Sequence, residues 1–196
     1  MKKTNVLTEI AVIVALGWIL DFIQGIYSDF LPVFFNGGSV GIAMIAVIII
    51  GLRRGPIIGL TSGLILGILD LIDGNISVSP LVDTWYYALL QISLDYVLAW
   101  LFVGFSGFMA GMLKNSVGKK RIIYLVLACF IGALGRYISF VSSGIFCWSV
   151  PSSINTEVLW GVLTYNFSFI FPSFILTSIV LVMIDKRQPR LLNVNN

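Results

Sequence analysis

The chain has 196 residues, 58% of them hydrophobic and only 11% charged, with a mean hydropathy of +1.00 and a net charge of +3. A soluble domain of this size cannot hide that much apolar surface, so the class is an all-α integral membrane protein with room for about six spans of roughly 20 residues. Histidine is absent, Cys129 and Cys147 are isolated, and there is no GxxxxGK[ST] loop, which excludes a zinc site, a His-based triad and ATP hydrolysis by the chain itself.

A single membrane domain over residues 1–196 is expected, with spans near 6–27, 41–52, 57–72, 82–113, 122–146 and 158–184. Met1-Lys2-Lys3 resembles the start of a signal peptide, but the next segment carries Glu9 and Asp21 and no small-x-small cleavage site, so it is read as a retained first span. Glu9 is expected in the first helical turn, where the helix dipole favours an anion. Ala11 and Ala15, extended by Gly17, form a small-residue face that suits close helix approach, either within the bundle or against a partner.

Residues 28–40 hold Pro32, Gly37, Gly38, Phe30, Phe34 and Phe35. They are too polar to span and too apolar for a free loop, which suggests a lid. The short second span ends at Arg53-Arg54-Gly55-Pro56, a sharp basic turn. The third carries Gly59, Gly63 and Gly67 at four-residue spacing, a smooth stripe for close packing, and closes at Asp70, Asp73 and Gly74. The fourth contains Gln91, Asp95, Tyr96 and Trp100 in a run without Lys or Arg. The fifth contains Arg136, and the sixth contains Pro172, where a kink is expected.

Eleven of the twelve basic residues lie at the N-terminus, in the loops after spans two and four, or in the C-terminal tail. All of these fall on one side of a six-span bundle. The other side carries only Asp29, Asp73, Asp83 and Glu157. The positive-inside rule therefore places both termini in the cytoplasm.

The twelfth basic residue is Arg136. With Asp95 it makes an intramembrane acid and base on sequential spans. Such residues are costly at membrane depth and face the bundle interior. Two readings follow: an ion pair that fixes helix register, or groups facing a hydrated substrate cavity. Aromatics crowd the same end of the bundle (among them Trp85, Tyr86, Tyr87, Phe146, Trp148 and Trp160), more than an interfacial belt needs, and Thr164, Tyr165 and Asn166 add hydrogen-bonding groups. A carboxylate, amides and aromatic walls suit a small, flat, partly cationic heterocycle. Nothing forms a catalytic centre, so no enzyme is expected.

Several stretches, in order and over nearly the whole chain, resemble the thiamine-specific S component of energy-coupling-factor (ECF) transporters. They are Leu7-Thr8-Glu9-Ile10-Ala11 leading to Ala15, Leu52-Arg53-Arg54-Gly55, Leu94-Asp95-Tyr96 with Leu98-Ala99, Arg136-Tyr137, Gly144-Ile145-Phe146 with Trp148, and Tyr165-Asn166. The resemblance implies a six-helix subunit of a bacterial plasma membrane that binds a vitamin near the outer face under the loop after helix one. It implies docking through Ala11 and Ala15 onto a transmembrane coupling subunit, with two cytoplasmic ATPase subunits driving uptake. It makes Phe30, Phe34 and Phe35 a gate. It implies substrate contacts at Asp95, Tyr96, Trp148 and Asn166, with Gln91 and Arg136 beside them. Phe140 stands where the family has a ligand-contacting His, and Gly161 where it has a Tyr. No cofactor is implied. The expected function is thiamine binding for an ATP-driven importer. The alternatives are another vitamin or a thiamine precursor as ligand, or a structural membrane protein in which Asp95 and Arg136 only hold helices together.

Overall fold

The computed structural model describes residues 3–28, 38–72, 76–150 and 154–192. They form a bundle of six helices with no strand among the described residues: α1 Lys3–Ser28, α2 Met44–Arg54, α3 Pro56–Ile72, α4 Trp85–Lys114, α5 Gly118–Phe146 and α6 Thr156–Arg187, followed by a 3₁₀ turn at Pro189–Leu191. The expected gate residues Phe30, Phe34 and Phe35 lie outside the described residues, as do Asp29, Pro32, Gly37, Asp73 and Gly74.

Helices α1, α4, α5 and α6 are long and apolar enough to cross a bilayer. The other two are not: α2 has 11 residues and α3 has 17, which at 1.5 Å per residue is about 16 and about 26 Å against a hydrocarbon core of about 30 Å. The shortness of α2 has a packing reason. Met44 to Ile48, Ile50, Gly51 and Leu52 are all buried, so protein rather than lipid surrounds α2 and its length need not match the membrane. Pro172 sits inside α6 without ending it.

Helix α3 lies against α4 with almost no side chains between the backbones. A Cβ added at Gly59 would stand 2.7 Å from the Gly104 carbonyl oxygen, one at Gly63 would stand 2.3 Å from that of Trp100, and one at Gly67 would stand 2.9 Å from that of Tyr96. Three glycines four residues apart thus meet three α4 carbonyls, each four residues before the last. That is the register of two antiparallel helices in backbone contact. The stripe brings the far end of α3, with Asp70, beside the middle of α4. The turn into α3 is as tight as its sequence implies. Gly55 has φ +92°, open to glycine but strained for other residues, and Pro56 begins the helix.

One end of the bundle is basic and internally paired. Glu9 is not in the first turn of α1, which begins at Lys3, so a dipole effect confined to that turn does not hold it. It pairs instead with both Arg53 and Arg54, with Arg54 Nε donating to Oε2 at 2.9 Å. Arg53 Nη1 also donates to the carbonyls of Arg190 and Leu191, at 2.7 and 3.1 Å. Arg121 at the start of α5 grips Asp185 at the end of α6 with two bonds, of 2.8 and 2.6 Å. Its Nη1 donates to the Leu113 carbonyl of α4 at 3.1 Å. An open groove of about 470 Å³ at this end is lined by Thr8, Glu9, Val12, Ile13 and Arg53.

The small-residue face of α1 splits in two. Gly17 turns inward, where an added Cβ would meet Ala46 at 2.8 Å. Ala11 and Ala15 point out of the bundle and are exposed, together with Leu7, Val12, Leu16 and Ile19.

Candidate functional site

The expected polar site residues Gln91, Asp95 and Asn166 lie in the half of the bundle opposite the basic end. The key local feature is in α4, which is not one regular helix. Residues Trp85–Ile92 are α-helical and Ser93–Leu98 form a π-helical turn. A π turn widens the spiral and releases carbonyls from their usual partners, a feature that recurs at functional sites. Here α5 supplies a replacement donor: Ser139 Oγ bonds the Leu94 carbonyl at 2.6 Å. Asp95 is the acid within this turn.

Three neutral groups surround the Asp95 carboxylate. Gln91 Nε2 and Trp148 Nε1 each donate to Oδ2 at 3.2 Å, and the buried Ser143 hydroxyl lies close by. Gln91 is fully buried and its amide is held firmly. Its Nε2 also donates to the Ser77 carbonyl at 2.8 Å, and its Oε1 accepts from Ser79 N at 3.0 Å. Gln91 therefore ties Asp95 to the stretch before α4. Tyr96 does related work one residue on, its hydroxyl accepting from Ser77 N at 2.7 Å.

Arg136 stands apart from Asp95. Its guanidinium carbon lies 4.2 Å from the centroid of the Trp100 ring and 5.3 Å from that of Phe140. Asp21 of α1 and Asp70 of α3 are the carboxylates whose charge acts on it. Trp100 is itself fixed by a hydrogen bond from its indole Nε1 to Asp70 Oδ2. The acid and base on sequential spans are not each other's partners. An arginine in a helix projects toward the helix N-terminus. On α5 that direction leads away from Ser143 and Asp95.

Phe140 joins this cluster to an aromatic wall. It meets Phe169 edge-on at 5.7 Å between centroids, and Tyr165 meets Phe169 at 5.6 Å. The chain enters α2 across this wall. Gly38 N donates to the Tyr165 hydroxyl at 3.2 Å, and a Cβ at Gly38 would stand 2.6 Å from the Phe169 ring. Gly41 N donates to Ser173 Oγ at 3.0 Å. From α1, Gln24 bonds Ser39 and Tyr27 bonds the Val40 carbonyl. Asn166 is buried on α6 with its Nδ2 on the Val162 carbonyl at 2.9 Å, facing Gly144 of α5.

Among the residues expected at the site, Gln91, Asp95 and Trp148 come together directly, and Arg136 pairs with Phe140. Asn166 adjoins Gly144, while the Tyr96 hydroxyl is engaged with the stretch before α4. Sequence reasoning named Trp100 only as part of the Asp95 stretch, used Asp21 and Asp70 only to read the first and third spans, and did not single out Phe169 or Ser143. For the carboxylates a signal existed: both are acids within or closing an apolar helix. Not all the aromatics belong to the wall, since Trp85, Phe146 and Trp160 face outward and fit an interfacial belt.

A multi-helix bundle whose partly buried Asp95 carboxylate meets an amide, an indole and a hydroxyl beside an aromatic wall defines a membrane protein that binds a small molecule; the family it matches makes it a transport protein rather than an enzyme. Comparison with known proteins narrows the class. The family described as Thiamine transporter protein (Thia_YuaJ) matches residues 7–193, and the chain belongs to it. It is 37% identical over 195 residues to the thiamine transporter ThiT of Bacillus subtilis (strain 168), covering 97% of this chain and 95% of that protein. The solved structure of ThiT from Listeria monocytogenes shares the fold, with a TM-score of 0.77 at 22% identity over 99% of this chain and 100% of that one. The protein is thus a multi-pass protein of a bacterial cell membrane.

Proposed function

We propose that this chain is the thiamine-binding membrane subunit of an ECF-type importer. The observation that carries the reading is Asp95: a carboxylate at membrane depth whose partners are neutral donors, with an indole and an aromatic wall nearby. A partly buried acid there is costly unless a charge arrives to offset it. Thiamine is a flat cation, and membership of the thiamine transporter family supports it as that charge. Asp95 supplies the counter-charge, Trp148 and Phe140 supply stacking surface, and Asn166 supplies a polar contact. Gln91 and Tyr96 orient the π turn, and Arg136 closes the inner wall. Phe30, Phe34 and Phe35 act as the gate.

The basic end is cytoplasmic in this reading, with both termini, and the site opens outward. The exposed pair Ala11 and Ala15 is the surface for the transmembrane coupling subunit, and two ATPase subunits act from the cytoplasm. Calorimetric titration of the purified protein with thiamine tests the ligand. One saturable site supports the reading. Binding of a pyrimidine precursor or another vitamin with no response to thiamine replaces the ligand, and no binding across a vitamin panel by folded protein refutes the transporter subunit.

A further inference from the structure

Gln91 and Tyr96 bracket Asp95, and both reach the same short stretch before α4. Gln91 Nε2 donates to the Ser77 carbonyl at 2.8 Å, Gln91 Oε1 accepts from Ser79 N at 3.0 Å, and the Tyr96 hydroxyl accepts from Ser77 N at 2.7 Å. On a regular α-helix, residues five apart stand about 140° apart around the axis, so their side chains leave from different sides. The π turn at Ser93–Leu98, whose bonds run between residues five apart, brings Tyr96 round toward the side of Gln91. The two side chains thus meet on Ser77 through the same wide turn that carries Asp95. Residues 77–79 have no helix or strand of their own, and Ser77 and Val78 are exposed. Gln91 is fully buried, and its two N–H groups are used on the Ser77 carbonyl and on Asp95 Oδ2, the latter at 3.2 Å. It has no donor left for a ligand.

We infer that Gln91 is a positioning residue rather than a ligand contact: it couples residues 77–79 to Asp95, so that this stretch is a strap that steadies the π turn and is itself held more firmly when the site is filled. This rests on the reading of Asp95 as counter-charge for the ligand. One amide nitrogen serves both the Asp95 carboxylate and the Ser77 carbonyl. A ligand that fixes the carboxylate therefore fixes the amide, and the amide fixes Ser77 and Ser79. The converse also holds. A released strap frees the amide beside Asp95 and takes from the Tyr96 hydroxyl the donor that holds it on the Gln91 side. Such coupling is reciprocal: the factor by which the strap raises ligand affinity is the factor by which the ligand stabilises the strap.

The test is hydrogen–deuterium exchange of the purified full-length protein, with and without saturating thiamine, read in peptides that span residues 77–79. Thiamine should slow exchange there by about tenfold, within the range usual for coupled sites, and should leave peptides spanning 114–118, at the basic end, unchanged. Gln91→Met keeps the length of the side chain and removes the amide. With thiamine bound, it should abolish most of the slowing, and by reciprocity it should weaken thiamine binding by about tenfold. If Gln91→Met does not fold, Tyr96→Phe, which removes only the hydroxyl that Ser77 N reaches, is read the same way and should lose part of the slowing. Equal slowing at 77–79 and at 114–118 would mean general stabilisation by the ligand and would overturn the inference. So would slowing fully retained in Gln91→Met with thiamine bound, or an unchanged Kd in that variant. Titration of the same samples separates the two possible failures. Thiamine bound without protection of the strap removes this inference alone, and no thiamine binding by the unsubstituted protein removes the proposed function and the inference together.

Discussion

Replacing Asp95 with Asn separates a ligand site from a structural ion pair. The substitution keeps the side chain's shape and leaves an oxygen to accept from Gln91 and Trp148, whose donors stand 3.2 Å from Oδ2. It removes the charge. If Asp95 were the partner of Arg136, the loss would strand a guanidinium in an apolar setting, costing about 3–5 kcal/mol and lowering the melting temperature by about 10 °C or more. The guanidinium instead lies over Trp100 and Phe140, with Asp21 and Asp70 acting on it. Asp95→Asn therefore leaves no orphaned cation, and the ligand-free protein should melt within a few degrees of the unsubstituted one. Thiamine affinity should fall by the worth of a charged contact, about 1.5–3 kcal/mol or about 10- to 150-fold in Kd. Thermal unfolding in detergent and calorimetric titration measure the two effects on one preparation. A large loss of stability, or an unchanged Kd, would refute the reasoning.

Three further substitutions probe other parts of the account. Gly63→Ala puts a Cβ 2.3 Å from the Trp100 carbonyl, where backbone faces backbone and no flexible side chain can yield. It should destabilise the fold by about 1–3 kcal/mol in thermal unfolding, while Gly161→Ala, with no neighbour within 4 Å, should be silent. Arg121→Ala leaves the buried Asp185 without its two-bonded partner and should cost about 2–3 kcal/mol in denaturant unfolding, with Asp185→Asn in the same background recovering part of the loss. Ala11→Trp combined with Ala15→Trp places bulk on an exposed face; it should abolish ATP-driven uptake in vesicles holding the coupling subunits, with no change in the melting temperature of the isolated chain.

The sequence shows some of these features more plainly than others. The α3 stripe is legible because close approach demands small residues, and glycines at a four-residue period leave only one geometry. The basic end is legible because charge distribution needs no knowledge of packing. Asp95 stands out because a carboxylate in a long apolar run has a price. What it pairs with is not legible, because that depends on which rotamer Arg136 takes and on two acids from distant helices, Asp21 and Asp70. Glu9 illustrates the same limit. Its position suggests a dipole contact, but its partners sit 44 and 45 residues away at a turn that folds back beside it. The π turn has no sequence marker; it shows itself only where Ser139 reaches the released Leu94 carbonyl. The shortness of α2 follows from neighbours that enclose it, and no window of hydropathy contains that information.

The measurement that bears most directly on the central claim is titration of the detergent-purified protein with thiamine, followed by intrinsic tryptophan fluorescence, with Trp148→Phe in parallel. The account predicts saturable quenching at submicromolar thiamine, a range equivalent to about 8 kcal/mol or more of binding free energy. It predicts that most of the quenching vanishes in Trp148→Phe, because that indole donates to Asp95 at the site. Absence of saturable quenching in folded, unsubstituted protein, or equal quenching in Trp148→Phe, would contradict the placement of thiamine between Asp95 and Trp148.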